Sequence, residues 1–235
     1  MLLDAEQISI FEKLIENYQP NKEALGIFIK SNFVVIAGPA GAGKDTLRNA
    51  LIQDHPDLYL PILSSTTRPM RGTEKDGIDY HFISAQEMRT ELEKGELLMA
   101  AVVHNQQVSS LHISEVKKLE NKKTGLSILI VQAEKELRNL KPDIRTIFLV
   151  PPSFEELVER LNYKRQLSHE EQARRLSAAK QELQIALREP GYYCVISDGE
   201  KQTADVVHDF LKNGKRIDKL DSQARQKIQE VFQSI

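Results

Sequence analysis

Along residues 4–18, Ile8, Phe11, Leu14, Ile15 and Tyr18 recur at the three- and four-residue spacing that lines one face of a helix, and Pro20 with Asn21 ends the run. From residue 33 the pattern changes. Residues 33–37 form a short β-rich apolar run that leads into glycines, and residues 44–53 return to helical spacing. Compact apolar runs at 97–103, 126–131, 146–150 and 194–197 are short enough to be buried strands. Helical stretches at 115–121, 154–161 and 170–187 alternate with them. Such alternation predicts an α/β fold, a mostly parallel sheet flanked by helices on both faces. A last amphipathic helix over 217–235 carries Leu220, Ala224, Ile228, Val231 and Phe232 on one side. With no internal repeat or low-complexity tract, the expected organisation is a helical extension over 1–30, one domain over 31–213 and a C-terminal helix over 214–235.

Composition narrows the partners. Of 235 residues, 40% are hydrophobic and 28% charged, enough for a solid core and a polar surface. The formal net charge of −2 argues against coating nucleic acid by bulk electrostatics, so no nucleic-acid partner is expected. Cys194, the single cysteine, excludes an intrachain disulfide and reads as a buried strand residue rather than a nucleophile. No apolar stretch is long enough to span a bilayer, and Asp4 and Glu6 stand where a signal peptide needs positive charge. The expectation is a cytoplasmic protein without a membrane partner, either monomer or homodimer.

The chemistry begins at residues 38–46, G-P-A-G-A-G-K-D-T. Gly38, Gly41 and Gly43 let the backbone turn sharply and aim N–H groups at one point, with Ala42 between them. That point lies at the start of the 44–53 helix, whose partial positive charge favours a polyphosphate, and Lys44 adds a full cation. The segment through Thr46 is therefore the expected ATP-binding loop. The P-loop pattern wants Ser or Thr after the lysine as a Mg²⁺ ligand, and this chain has Asp45. A carboxylate there repels phosphates unless a cation lies between them. Two readings stay open: Asp45 faces away and favours the helix dipole, or it binds Mg²⁺ directly or through water.

Residues 64–82 form the second informative stretch. Arg68 and Arg71 sit close together in a Pro- and Gly-containing loop, with Tyr80 after a glycine turn. Two guanidinium forks and a phenol suit a phosphate monoester, although a solvated basic loop has the same composition.

Together, G-P-x-G-x-G-K-x-T and S-x-T-T-R-P-x-R-x-x-E-x-x-G-x-x-Y-x-F resemble the motifs of guanylate kinases, and the resemblance covers about residues 32–212. It implies a P-loop NTPase fold with a small nucleotide-monophosphate-binding subdomain over 64–110 and a helical lid over 153–176. It further implies that Arg68, Arg71 and Tyr80 hold the acceptor phosphate and that Ser64 touches the base. Lys44, Arg175 and Lys164, which stands where the family has a lid arginine, would stabilise charge during transfer; Arg165 is the neighbouring alternative and Arg174 an ordinary surface residue. The implied activity is phosphoryl transfer from ATP to GMP with Mg²⁺, on small-molecule nucleotides.

The resemblance has gaps. Met99 aligns with the glutamate that reads the guanine edge, Val108 with a phosphate-binding tyrosine, and Ile128 and Ile130 with both carboxylates of an acidic strand motif. A carboxylate accepting from guanine discriminates strongly, because a mismatch leaves buried polar groups unpaired; Met99 can only pack against a ring. Guanine reading by that route is not expected. A carboxylate after the loop lysine opposite an apolar strand also resembles ribose 1,5-bisphosphate phosphokinase, which lacks the full second motif. Non-catalytic guanylate-kinase-like interaction modules form the third alternative, but they have typically lost the lysine-bearing loop kept here.

Overall fold

The computed structural model describes residues 2–103, 105–121, 123–163 and 168–235. In chain order these form α1 (Ala5–Glu16), α2 (Lys22–Lys30), β1 (Phe33–Ala37), α3 (Lys44–Asp54), β2 (Tyr59–Ile62), β3 (Ser65–Thr66), β4 (His81–Phe82), α4 (Ala85–Lys94), β5 (Leu97–Val103) and β6 (Gln107–His112). There follow α5 (Ile113–Lys117), β7 (Thr124–Ile128), α6 (Val131–Leu140), β8 (Arg145–Val150), α7 (Phe154–Tyr163), α8 (His169–Arg188), β9 (Tyr192–Ile196), α9 (Glu200–Asn213) and α10 (Asp218–Ser234). The chain divides into two compact units. One holds the segment ending at Phe33 together with Leu60–Ile144, the other Val34–Tyr59 and Arg145–Ile235. No helix among the described residues is long and apolar enough to cross a membrane.

In the second unit β1, β8 and β9 run parallel in that order, with Val34 opposite Arg145 and Thr146 opposite Tyr192. All five residues of β1 are buried, as expected of a strand covered on both faces. The outer strand β9 is closed by α10, which buries Ala224, Ile228 and Val231. Asp221 accepts the Cys194 N–H at 2.8 Å, and Arg225 donates to the carbonyls of Ala186, Glu189 and Tyr192 while pairing with Asp221 at 2.8 Å. Backbone groups that an edge strand leaves open are thus satisfied by side chains.

The first unit contains a second sheet, in the order β4-β3-β6-β5, which sequence periodicity does not announce. Residues 97–103, read from the sequence as one more strand of the parallel alternation, pair antiparallel with β6 instead. The hairpin turns through Asn105 at φ 52°, a left-handed conformation that asparagine tolerates. The other early boundary shift is at residues 126–131, where the strand ends at Ile128 and Val131 already opens α6.

Helix α1 starts at a capping box between Asp4 and Gln7 and sends Phe11 into a core with Met88, Leu92, Leu97, Ala100 and Val108. Just beyond it, the Tyr18 hydroxyl donates to the Leu97 carbonyl at 2.6 Å and accepts the Leu97 N–H at 2.9 Å. That double bond sits where the β5–β6 register shifts between Leu97 and Met99, so it satisfies backbone groups at the irregularity. Burial pushes the Tyr18 pKa up to about 12. Tyr18→Phe is expected to lower the unfolding free energy by about 1–3 kcal/mol in urea denaturation, since it strands the Leu97 donor and acceptor. An unchanged midpoint and slope would show that the bulge does not depend on this clamp.

Candidate active site

The glycine loop lies between β1 and α3, in the second unit. Gly38, Gly41 and Gly43 have φ of 135°, 85° and 88°, all in the region that favours glycine. At residue 38 space is decisive as well: a Cβ there would stand 2.5 Å from the Leu149 carbonyl oxygen of β8. Gly43 is the N-cap of α3 and supplies no side-chain cap, which leaves first-turn N–H groups for an incoming anion. The Ala42 N–H closes the loop on the Pro39 carbonyl at 3.0 Å.

Lys44 Nζ donates to the carbonyls of Gly38 at 2.6 Å and Pro39 at 2.9 Å, so the ammonium is stored inside its own loop. Burial lowers its pKa, with Glu182 of α8 and then Asp45 raising it. Asp45 and Thr46 are exposed on the first turn of α3. The Asp45 carboxylate is two-thirds exposed and meets Arg48, one turn on, at 3.4 Å. No cluster of three or more His, Cys, Asp or Glu side chains able to hold a metal occurs among the described residues. The exposed Asp45 carboxylate beside the loop suits the oxygen donors that Mg²⁺ takes, with bound phosphates supplying the rest.

Three arginines lie on α7 and α8 of the same unit, within the residues expected to form a lid. Arg160 of α7 stands beside Gly41, donates to the Ser197 hydroxyl at 3.0 Å and its carbonyl at 3.2 Å, and pairs with Glu156. The sequence reading passed over it because it sits within an amphipathic run of otherwise ordinary spacing. Arg175 is partly buried on α8 and held by Glu171 at 2.9 Å; Arg174 is exposed and pairs with the same carboxylate. Lys164 and Arg165 lie outside the described residues.

The first unit brings together the residues of the second motif. Arg68 is nearly buried, and its two terminal nitrogens meet the two oxygens of Glu74 at 2.6 and 2.7 Å. Glu74 also accepts the Arg71 N–H at 2.7 Å, which folds the Pro-Met-Arg-Gly loop back on itself. Burial alone would raise the pKa of Glu74, but the hydrogen bonds from Arg68 and Arg71 outweigh it and hold the carboxyl below its usual range. The Arg68 guanidinium lies 5.1 Å from the Tyr80 ring and 5.3 Å from that of Phe82. Glu74 was visible in the sequence only as a letter of the motif; its work as the anchor of Arg68 depends on the loop's folding. Ser64 is buried, and its carbonyl accepts the His81 N–H at 3.0 Å.

Strand register decides which side chains share a face with this loop. Thr66 pairs with Phe82 and Ser109, and Ala101 with Ser109, while Met99 lies opposite Leu111. These residues occupy one face, with Ser64 and Tyr80 two positions along from Thr66 and Phe82. Val108 pairs with Val102 on the other face, inside the core with Phe11 and Met88. Met99 and Val108 therefore project to opposite faces, and on β6 the polar residues of the Met99 face are Gln107 and Ser109.

Gly38→Ala is expected to destabilise the second unit by roughly 2 kcal/mol or more, because a Cβ there overlaps the Leu149 carbonyl in a strained backbone conformation. Thermal melts and equilibrium ADP binding check this, and a variant with unchanged melting and affinity contradicts it.

The family model for guanylate kinase matches residues 30–214. The guanylate kinase of Idiomarina loihiensis is 35% identical over 191 residues, 80% of this chain and 90% of that protein. Those of Corynebacterium glutamicum and Thermosynechococcus vestitus are 36% identical over 182 residues and 39% over 153, covering 76% and 65% of this chain and 93% and 80% of theirs. The crystal structure of guanylate kinase from Anaplasma phagocytophilum shares the fold, with a TM-score of 0.61 at 24% identity over 79% of this chain and 87% of that one. With a loop lysine, a second anion motif and a family match spanning most of its length, the chain belongs to the guanylate kinase family and is a nucleoside monophosphate kinase.

Proposed function

We propose that this kinase transfers the γ-phosphoryl group of ATP to GMP, with Mg²⁺ bound chiefly by the phosphates. The observation that carries the reading is the intact lysine loop, with Lys44 stored on the Gly38 and Pro39 carbonyls at the head of α3. It disfavours a non-catalytic module, which has no use for a cation held in that position. Under this reading an oxygen of the acceptor phosphate attacks the γ-phosphorus in line, and the bond to the ADP oxygen breaks. Lys44 and the first-turn N–H groups of α3 stabilise the spreading charge, with Arg175 and Lys164 as further cations. Asp45 would help hold a Mg²⁺ ion beside the loop, and such an ion would supply neutralising charge to the phosphates.

Arg71 and Tyr80 would receive the acceptor phosphate, in a loop whose shape Glu74 fixes through Arg68. Ser64, Gln107 and Ser109 are the polar groups proposed to meet the base on the Met99 face. Neutral hydroxyl and amide groups reward guanine less than a carboxylate does, by roughly 1–2 kcal/mol, so discrimination against AMP is expected to be weaker. The substrates are small nucleotides, and a cytoplasmic setting supplies both ATP and Mg²⁺.

A coupled assay of ADP release with ATP, Mg²⁺, a panel of nucleoside monophosphates and ribose 1,5-bisphosphate tests the proposal. GMP should give the highest kcat/KM; failure of every nucleoside monophosphate to turn over sinks it. Lys44→Ala is expected to reduce kcat by about 100-fold or more. For Asp45, the readout is a Mg²⁺ titration of activity. If its carboxylate helps bind the ion, Asp45→Ala shifts the half-saturating Mg²⁺ concentration upward by several-fold, whereas an unchanged titration assigns Asp45 to the helix dipole alone.

A further inference from the structure

Glu182 lies two helical turns beyond Arg175 on α8, so the two side chains share one face of that helix. Its Oε2 is shielded from solvent and has no hydrogen-bond partner among the described residues. Buried carboxylate oxygens ordinarily have one, and an orphan marks a group whose state changes or whose partner arrives later. The charge acting on it is that of Lys44, whose ammonium nevertheless donates to the Gly38 and Pro39 carbonyls. Asp45 acts on Lys44 from the same helix, α3. Along its length α8 also packs against α10, where Asp221 and Arg225 are engaged with each other and with the end of β9. Burial pushes the pKa of Glu182 up to about 7, with Lys44 pulling it down.

We propose that Glu182 is a positioning residue for Lys44 and the site of a proton taken up when a nucleoside polyphosphate enters the loop. Ionised, Glu182 attracts the Lys44 ammonium and competes with phosphate for it. Phosphate charge arriving beside Lys44 disfavours a second anion nearby, so the Glu182 carboxylate takes a proton from solvent. Neutral Glu182 then leaves the full charge of Lys44 to the phosphates. The sign follows from linkage: added negative charge raises the carboxyl pKa, so proton uptake accompanies binding at pH values between the free and bound pKa. Above that window Glu182 stays ionised in both states, so no proton is taken up and its charge costs affinity, and below it Glu182 is already neutral. The inference rests on reading residues 38–46 as the nucleotide site.

Calorimetric titration of ADP with Mg²⁺, in two buffers of different ionisation enthalpy at about pH 7.5, counts the protons. The wild-type protein should take up about half a proton more per nucleotide than Glu182→Gln. Equal counts, with binding intact in both, overturn the role of Glu182 and leave the nucleotide site standing. No ADP binding by the wild-type protein overturns the site and the inference together. Kinetics give a second readout. KM for ATP in the wild-type enzyme should rise several-fold from about pH 7 to 8.5 with kcat little changed, and the rise should be absent in Glu182→Gln. If that variant fails to fold, the wild-type protein alone decides: its proton count should peak between about pH 7 and 8.5 and fall at about pH 6, and a flat count overturns the proposal.

Discussion

The candidate donor site depends on one close approach, that of the residue 38 backbone to the Leu149 carbonyl. β1 and β8 are parallel neighbours, with Ala37 opposite Phe148, so the chain leaving β1 must pass directly over the next turn of β8. Only a residue without a side chain can do so. That passage sets where the loop begins, and the N-cap at Gly43 sets where it ends. Between these two points the loop has little freedom, and Lys44 is stored on carbonyls at its base. The loop is preorganised by strand pairing, before any ligand contributes.

The motif residues of the first unit show the same economy with different means. Arg68 and Glu74 meet through both pairs of terminal atoms, and two aromatic rings flank the guanidinium. A surface ion pair would contribute little, but this one is largely shielded and geometrically matched, and its effect is to fix a loop. Of the two arginines expected to hold a phosphate, Arg68 already holds a carboxylate of its own.

What the sequence disclosed follows from the range of the interactions involved. Residues 33–37 and 146–150 are continuous apolar runs, and burial on both faces makes such strands legible one residue at a time. The glycine loop is legible because its constraint is local, a matter of φ and a missing Cβ. β3 and β4 are two residues each and β6 reads Gln-Val-Ser-Ser-Leu-His, so neither length nor alternation announces them. The faces of Met99 and Val108 follow from the β5–β6 pairing, with Met99 opposite Leu111 and Val108 opposite Val102, and that register depends on a partner strand which motif spacing does not reveal. Glu182 looks like any helical glutamate until α8 is packed, because burial and its distant neighbour Lys44 arise only in the folded chain.

The side chains that close β9 also bear on how this protein behaves in a crowded solution. A parallel sheet whose last strand is open offers a template for another chain, and the exposed N–H and C=O groups of Cys194 and Tyr192 would be its first rungs. Asp221 and Arg225 occupy those rungs from a helix that ends the chain. Until α10 docks, the partly folded sheet has an adhesive margin. By capping those groups, α10 guards the sheet against edge-to-edge pairing with another chain.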